Sequence, residues 1–140
     1  MSAFKFRLEK VLSVYQILEE QAKQEWALQE KLAHEERLKL EVLNIQKEEV
    51  RAFGYAQGDL ALRQAMYGYL AVLEQRISRQ TSVIEQQEAL AAQAKETWIK
   101  ARQETQKVST LRENKYEEFL KEELRKEQKI LDDMRAHLQE

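Results

Sequence analysis

Two histidines, His34 and His137, are the obvious candidates for a neutral-pH base or an imidazole metal ligand. His34-Glu35-Glu36-Arg37-Leu38 begins like a zinc-protease helix. That chemistry needs a second imidazole one turn later, and position 38 is leucine. Cysteine is absent, which excludes a thiolate metal site and a disulfide framework. Gly54, Gly58 and Gly68 lack the lysine and hydroxyl residue of a phosphate loop, and no strand pattern precedes them. A Ser-His-Asp or Cys-His grouping needs a concave pocket, which two thin rods do not offer. Both histidines therefore read as solvent-facing helical residues. Neither an enzyme activity nor a cofactor is expected.

The elements behind this reading come from composition. Proline is absent and there are three glycines, so breaks in regular structure must be few. Charged residues make up 34% of the chain against 8% aromatics, too lean for a spherical core but enough for a seam between helices. The net charge is −2, and it is close to balanced in both halves. No basic stripe is present to neutralise a row of phosphates, which argues against nucleic acid as partner. The start of the chain lacks the apolar stretch of a secretory signal. The longest apolar runs, such as Leu70-Ala71-Val72-Leu73, are far too short to span a bilayer. A soluble, cytoplasmic or cytoplasm-facing protein is expected.

Glycine in a helix interior costs about 1 kcal/mol relative to alanine, so gathering all three in one stretch marks the one permitted break, residues 54–68. Gly54 to Asp59 supplies glycines that can end a first helix and an aspartate that can cap the next. The first helix is expected over 2–53, with Ser2 as its N-cap and a seam of Phe4, Leu8, Val11, Tyr15, Leu18 and Ala22. That seam continues less regularly through Leu28, Leu32, Leu38, Val42, Ile45 and Phe53. The second helix is expected over 69–138, and the seam after the break runs from Met66 at its edge through Tyr69, Leu73, Ile77, Ile84, Ala91, Ala94, Trp98, Ala101 and Val108. Gln80, Gln87 and Thr105 fall at intervening core positions, where buried polar groups fix register. Beyond Val108 the spacing Arg112, Tyr116, Leu120, Leu124 is a stutter, which locally unwinds a left-handed supercoil. Glu117–Lys121 and Glu122–Lys126 are favourable pairs in a stretch, 112–129, dense in both signs of charge.

Each helix presents only a stripe and must bury it on a partner. A short connection makes the two antiparallel neighbours. The fold class is all-α: two long helices in an antiparallel coiled-coil hairpin forming one domain. At 1.5 Å per residue the first arm would be about 75 Å long and the second, counted from Asp59, about 120 Å, so residues 122–140 are expected to project. Trp98 lies in phase with its seam, whereas Trp26 is one residue off the Ala22–Gln29 line and is free to anchor a partner. Tyr67, Tyr69 and Leu70 beside Gly68 cannot all be buried on a one-faced rod, which leaves an apolar patch for interaction.

These residues also carry a family resemblance. Phe4-Lys5-Phe6-Arg7-Leu8-Glu9-Lys10-Val11-Leu12 resembles the Phe-x-Phe-Arg-Leu-x-x-x-Leu opening of the flagellar export protein FliJ family. Tyr69-Leu70-x-x-Leu73-Glu74-x-x-Ile77 is similar to the middle of that family. The Trp98 stretch, Lys107-Val108-x-x-Leu111-x-Glu113-x-x-Tyr116 and the final Glu123-x-x-Lys126-Glu127-Gln128-Lys129-x-Leu131-Asp132-Asp133 resemble its second half. The resemblance covers nearly the whole chain, in order. It implies a component of the bacterial flagellar type III export apparatus that looks like the coiled-coil stalk of rotary ATPases. Such a stalk enters the pore of a hexameric export ATPase and promotes its assembly and turnover. It also contacts the transmembrane export gate and cycles the chaperones that carry export substrates.

The resemblance sets gate-binding residues at Tyr69 and Leu73, with Arg76 and Gln80 departing from the family one and two turns on. It sets ring-facing residues at Phe4, Arg7, Leu8, Leu124 and Leu131. The implied protein is monomeric, cytoplasmic, and held at the inner membrane at the flagellar base through protein partners. Two other classes compete. A generic coiled-coil adaptor without an ATPase partner predicts a stable homodimer. A membrane-surface helix would use Lys5, Arg7 and Lys10 with Phe4 and Phe6, although the rest of the chain has no continuous basic face.

Overall fold

The computed structural model describes residues 3–139, so Ser2, the expected N-cap, lies outside the described residues. Two helices account for almost all of it: α1, Glu9–Ala56, and α2, Leu60–Gln139. No strand occurs among the described residues. The antiparallel helical hairpin expected from sequence is the fold found. Packing divides it into two units. One joins the chain up to Gln21 with the chain from Ile99 onward, and the other is Ala22–Trp98.

The connection is only Gln57-Gly58-Asp59, much shorter than the expected break at 54–68. Asp59 caps α2 as anticipated. Its carboxylate accepts the Ala61 N–H at 3.0 Å, and its carbonyl takes the Arg63 N–H at 3.0 Å. Arg63 Nε donates to the Gln57 carbonyl at 2.7 Å, satisfying an acceptor that the end of α1 leaves open. Gly54 and Gly68 lie within the helices, and no glycine adopts a positive φ. The cost of about 1 kcal/mol per helical glycine is therefore borne rather than avoided, which is why the glycine cluster overstated the break.

In the unit Ala22–Trp98, the inward positions of α2 keep steps of three and four: Met66, Leu70, Leu73, Ile77, Gln80, Ile84, Gln87, Ala91, Ala94 and Trp98. This is the expected seam with one change, Leu70 in place of Tyr69. Opposite them α1 turns inward Ala22, Trp26, Gln29, Ala33, Glu36, Leu40, Leu43, Lys47, Val50 and Gly54. The expected α1 seam does not survive here. Leu28, Leu32, Leu38, Val42, Ile45 and Phe53 are all exposed. Polar and small residues line the inside because α2 offers them partners. Gln80 Nε2 donates to the Glu36 carbonyl at 2.9 Å and to Glu36 Oε2 at 2.6 Å. One heptad on, Gln87 Nε2 donates to the Gln29 carbonyl at 3.2 Å and to Gln29 Oε1 at 2.6 Å. Lys47 keeps its stem on the seam and its ammonium 3.6 Å from Glu74. Arg37–Glu88 at 3.0 Å clasps the helices from outside. Ala33 and Ala91 are fully or almost fully buried, so small side chains occupy enclosed positions on both helices, alongside the fully buried Leu73 of α2.

Trp26 belongs to this seam and is not a free anchor. Its ring stacks on Trp98 at 5.0 Å and 25°, its Nε1 donates to Glu30 at 3.3 Å, and the Lys95 ammonium sits 5.7 Å from its centroid. Counting along Ala22, Trp26, Gln29 gives steps of four and three, so the residue was in phase after all.

In the other unit, α1 turns Leu12, Tyr15 and Glu19 inward, while Val11 and Leu18 are exposed. Thr105 Oγ1 donates to the Tyr15 carbonyl at 3.2 Å and to the Ala101 carbonyl at 3.0 Å, a third polar pin at a position legible in sequence. Past Val108 the inward residues are Arg112, Phe119 and Glu123 rather than Arg112, Tyr116, Leu120 and Leu124. Tyr116, Leu120 and Leu124 are exposed; Phe119 falls one heptad after Arg112, and Glu123 one residue past the next heptad position. The local ion pairs here are three residues apart: Lys115–Glu118, Glu122–Arg125 and Glu123–Lys126. The last two replace the expected Glu122–Lys126 pairing.

Candidate partner-binding surfaces

Reaction chemistry has little to work with. His34 and His137 are both exposed, and no group of metal-ligating side chains occurs among the described residues. Among the described residues, no helix is long and apolar enough to cross a membrane. What the molecule does offer is apolar surface in three places.

The first is in the unit holding both chain ends. Residues 3–8 precede α1 as a short non-helical run that turns at Arg7 and Leu8, and Leu8 then accepts the Leu12 N–H at 2.9 Å. The run lies against α2. Phe4 meets Tyr116 edge-on at 5.2 Å and Phe119 at 5.4 Å, and the Arg112 guanidinium lies 5.6 Å from its centroid. Arg112 also donates to Glu9 at 2.8 Å. Beside this cluster is a groove of about 660 Å³ floored by Phe4, Phe6, Leu8, Leu111 and Phe119. Of the ring-facing residues suggested by resemblance, Phe4 and Leu8 are half-buried in this floor and Arg7 is exposed at its rim. Phe6, Leu111 and Phe119 were missed as site residues. Their signal was available, since Phe6 alternates with Phe4 and Leu8, a period-two pattern of extended chain that a helix over 2–53 hid.

In the same unit, every described residue from Leu124 onward is exposed. Leu124, Leu131, Met134 and Leu138 nevertheless continue a heptad, and Leu138 is 82% exposed. Leu124 and Leu131, the remaining two ring candidates, thus belong to an apolar stripe with nothing packed on it among the described residues.

The second surface is at the connection, in the unit Ala22–Trp98. Tyr69 is 43% and Tyr67 60% exposed, whereas Leu70 is half-buried. A hollow of about 230 Å³ beside them is lined by Arg51, Tyr55, Arg63, Met66 and Tyr67, among others. Leu73, the other gate candidate, is 0% exposed. It is a seam residue packed under this surface and presents nothing to a partner. The third surface is the outward face of α1 in this unit, with Leu28, Leu32, Leu38, Val42, Ile45 and Phe53.

A family model described as Flagellar FliJ protein matches residues 4–139. The chain belongs to the flagellar FliJ family. Membership makes it a component of the flagellar export apparatus. No curated protein and no solved structure matches it. For a FliJ-family chain, exposed apolar surfaces read as contacts with other parts of that apparatus.

Proposed function

We propose that this FliJ-family chain is the coiled-coil stalk of the flagellar type III export ATPase. The unit holding both chain ends enters the hexameric ring and promotes its assembly and turnover. The surface around Tyr69 meets the transmembrane export gate protein, and Leu73 supports it from beneath. The chain works as a monomer in the cytoplasm and reaches the inner membrane at the flagellar base through these protein partners. It also cycles export chaperones, for which the outward apolar face of α1 offers a helix-docking surface.

The observation that carries the ring assignment is the uncovered heptad of Leu124, Leu131, Met134 and Leu138 beside the Phe4 groove. Such a stripe costs solubility unless a partner covers it. The test is hydrolysis by the cognate hexameric export ATPase with and without the purified chain. Stimulation by the full chain, and its loss on removing residues 1–12 or 120–140, is expected. Undiminished stimulation by both truncations would refute insertion of this end. Tyr69→Ala is expected to abolish gate binding with helicity unchanged, and unaltered binding would overturn the gate assignment.

A further inference from the structure

The groove beside Phe4 has an apolar floor and an uneven rim. Its carboxylates already have cations of their own: Glu118 holds Lys115 at 3.5 Å and Glu122 holds Arg125 at 3.7 Å. Lys5 and Arg7 line the same groove, are exposed, and have no acidic side chain at ion-pair distance among the described residues. Lys10, just beyond, is in the same position. The chain is acidic overall, at −2, yet here the uncompensated charge is positive and stands over a ring-lined hollow.

We infer that this groove binds a protein segment presenting one large apolar side chain flanked by carboxylates. The apolar side chain seats against Phe4, Phe6 and Phe119, and the carboxylates meet Lys5 and Arg7. An apolar anchor supplies most of the affinity, and the charged rim supplies orientation and encounter rate. The groove does not suit a bilayer surface. Phe4 is turned inward onto Tyr116 and Phe119, and Phe6 is half-buried, whereas interfacial insertion needs aromatic side chains pointing outward. The inference rests on the ring-insertion reading, with the export ATPase as the protein bearing that segment.

The test measures binding of the full chain to the purified hexameric export ATPase across a salt series, beside stimulation of hydrolysis. Lys5→Glu combined with Arg7→Glu leaves the fold alone, since neither side chain has an ion-pair partner within it. This variant is expected to bind about tenfold more weakly and to lose most of the salt dependence. Phe6→Ala should weaken binding while the salt dependence stays. Arg79→Glu, a reversal on exposed α2 surface in the unit Ala22–Trp98, should change neither. If the wild-type chain neither binds nor stimulates the ATPase, the ring reading itself fails. If it does both and the double reversal matches it, only the groove inference fails. Co-sedimentation of the wild-type chain with phosphatidylglycerol vesicles, abolished by the double reversal while ATPase binding is kept, would reassign the groove to a membrane surface.

Discussion

Within the unit Ala22–Trp98 the two helices share a heptad but fill it with opposite kinds of residue. α2 puts Leu70, Leu73, Ile77 and Ile84 inside and leaves mostly polar residues out. α1 puts Gln29, Ala33, Glu36 and Lys47 among its inward residues and leaves Leu28, Leu38, Val42, Ile45 and Phe53 facing solvent. Hydrophobicity therefore decides which face of α2 turns inward but not which face of α1. On α1 the decision falls to partner-specific contacts: the Gln80–Glu36 and Gln87–Gln29 hydrogen bonds, the Trp26–Trp98 stack, and close approach at Ala33 and Ala91. An inner face chosen for fit leaves apolar surface on the outer face.

The sharpest way to break this contrast is to truncate one leucine from each side of it. Leu73→Ala, at a fully buried position, should cost about 2–5 kcal/mol of unfolding free energy by opening a cavity. Leu38→Ala, at an exposed α1 position, should stay within about 0.5 kcal/mol. Urea unfolding followed by circular dichroism measures both. Equal losses would mean that the α1 outer face is covered and that the two faces of α1 have been misassigned. The same result bears on partner binding. Any loss of gate binding in Leu73→Ala must be read against loss of fold, which makes Tyr69→Ala the clean probe.

The polar pins come next in size. Gln87→Ala removes two donated hydrogen bonds and leaves the Gln29 side chain with a lost partner, at a cost of about 1–2 kcal/mol. Gln87→Leu should recover much of that stability through apolar contact while weakening the preference for this register. Cysteine pairs introduced across the two helices would report it: one cross-link in the parent, and cross-links in shifted registers in Gln87→Leu. A single unshifted cross-link would assign register to the tryptophan stack instead.

How much of this was legible follows from the same contrast. The α2 seam, including Gln80, Gln87 and Thr105, could be counted out because its polar exceptions keep the heptad phase set by its leucines and isoleucines. The α1 seam could not, because its largest aliphatic residues lie off the true phase and its inward polar residues make sense only once Gln80 and Gln87 stand opposite. Asp59 as N-cap was visible because capping is local. The extent of the break was not, because glycine permits a turn without requiring one. Among the candidate site residues, Phe4, Arg7, Leu8, Leu124, Leu131 and Tyr69 all lie on or beside uncovered apolar surface. Leu73 does not, since a motif shared with a family does not distinguish a residue that touches a partner from one that holds the touching residue in place.

The glycines sharpen the account of the connection. A Cβ built at Gly68 meets nothing within 4 Å, and one at Gly54 makes ordinary contact with Met66 at 3.7 Å. Neither has positive φ. Gly68→Ala and Gly54→Ala should therefore each stabilise the chain by about 0.5–1 kcal/mol, through helix propensity and a less flexible unfolded state. A hinge or loop spanning 54–68 predicts the reverse sign, so thermal melts of the two variants discriminate directly. Gly54→Ala is the stricter case, because the added methyl faces the seam.

The smallest expected effect concerns a carboxylate that the seam itself perturbs. Glu36 is held below the ordinary glutamate range by hydrogen bonds from Lys39 and then Gln80, with the Lys39 charge adding to them and desolvation opposing. A depressed folded-state pKa means that the unfolded chain binds the proton more readily. The resulting stabilisation is complete above the unfolded value, near 4.5, and is lost as pH falls through the lower folded value. Unfolding of the parent and of Glu36→Gln should therefore run closer together as pH drops through that window and stay apart at neutral pH. Gln80→Leu should shrink the gap, because it removes one of the two donors that hold the carboxylate ionised. A gap that is unchanged from neutral to acid pH would show that Glu36 contributes through packing of its stem alone, and the inward polar side of α1 would then be tolerated by the seam rather than selected by it.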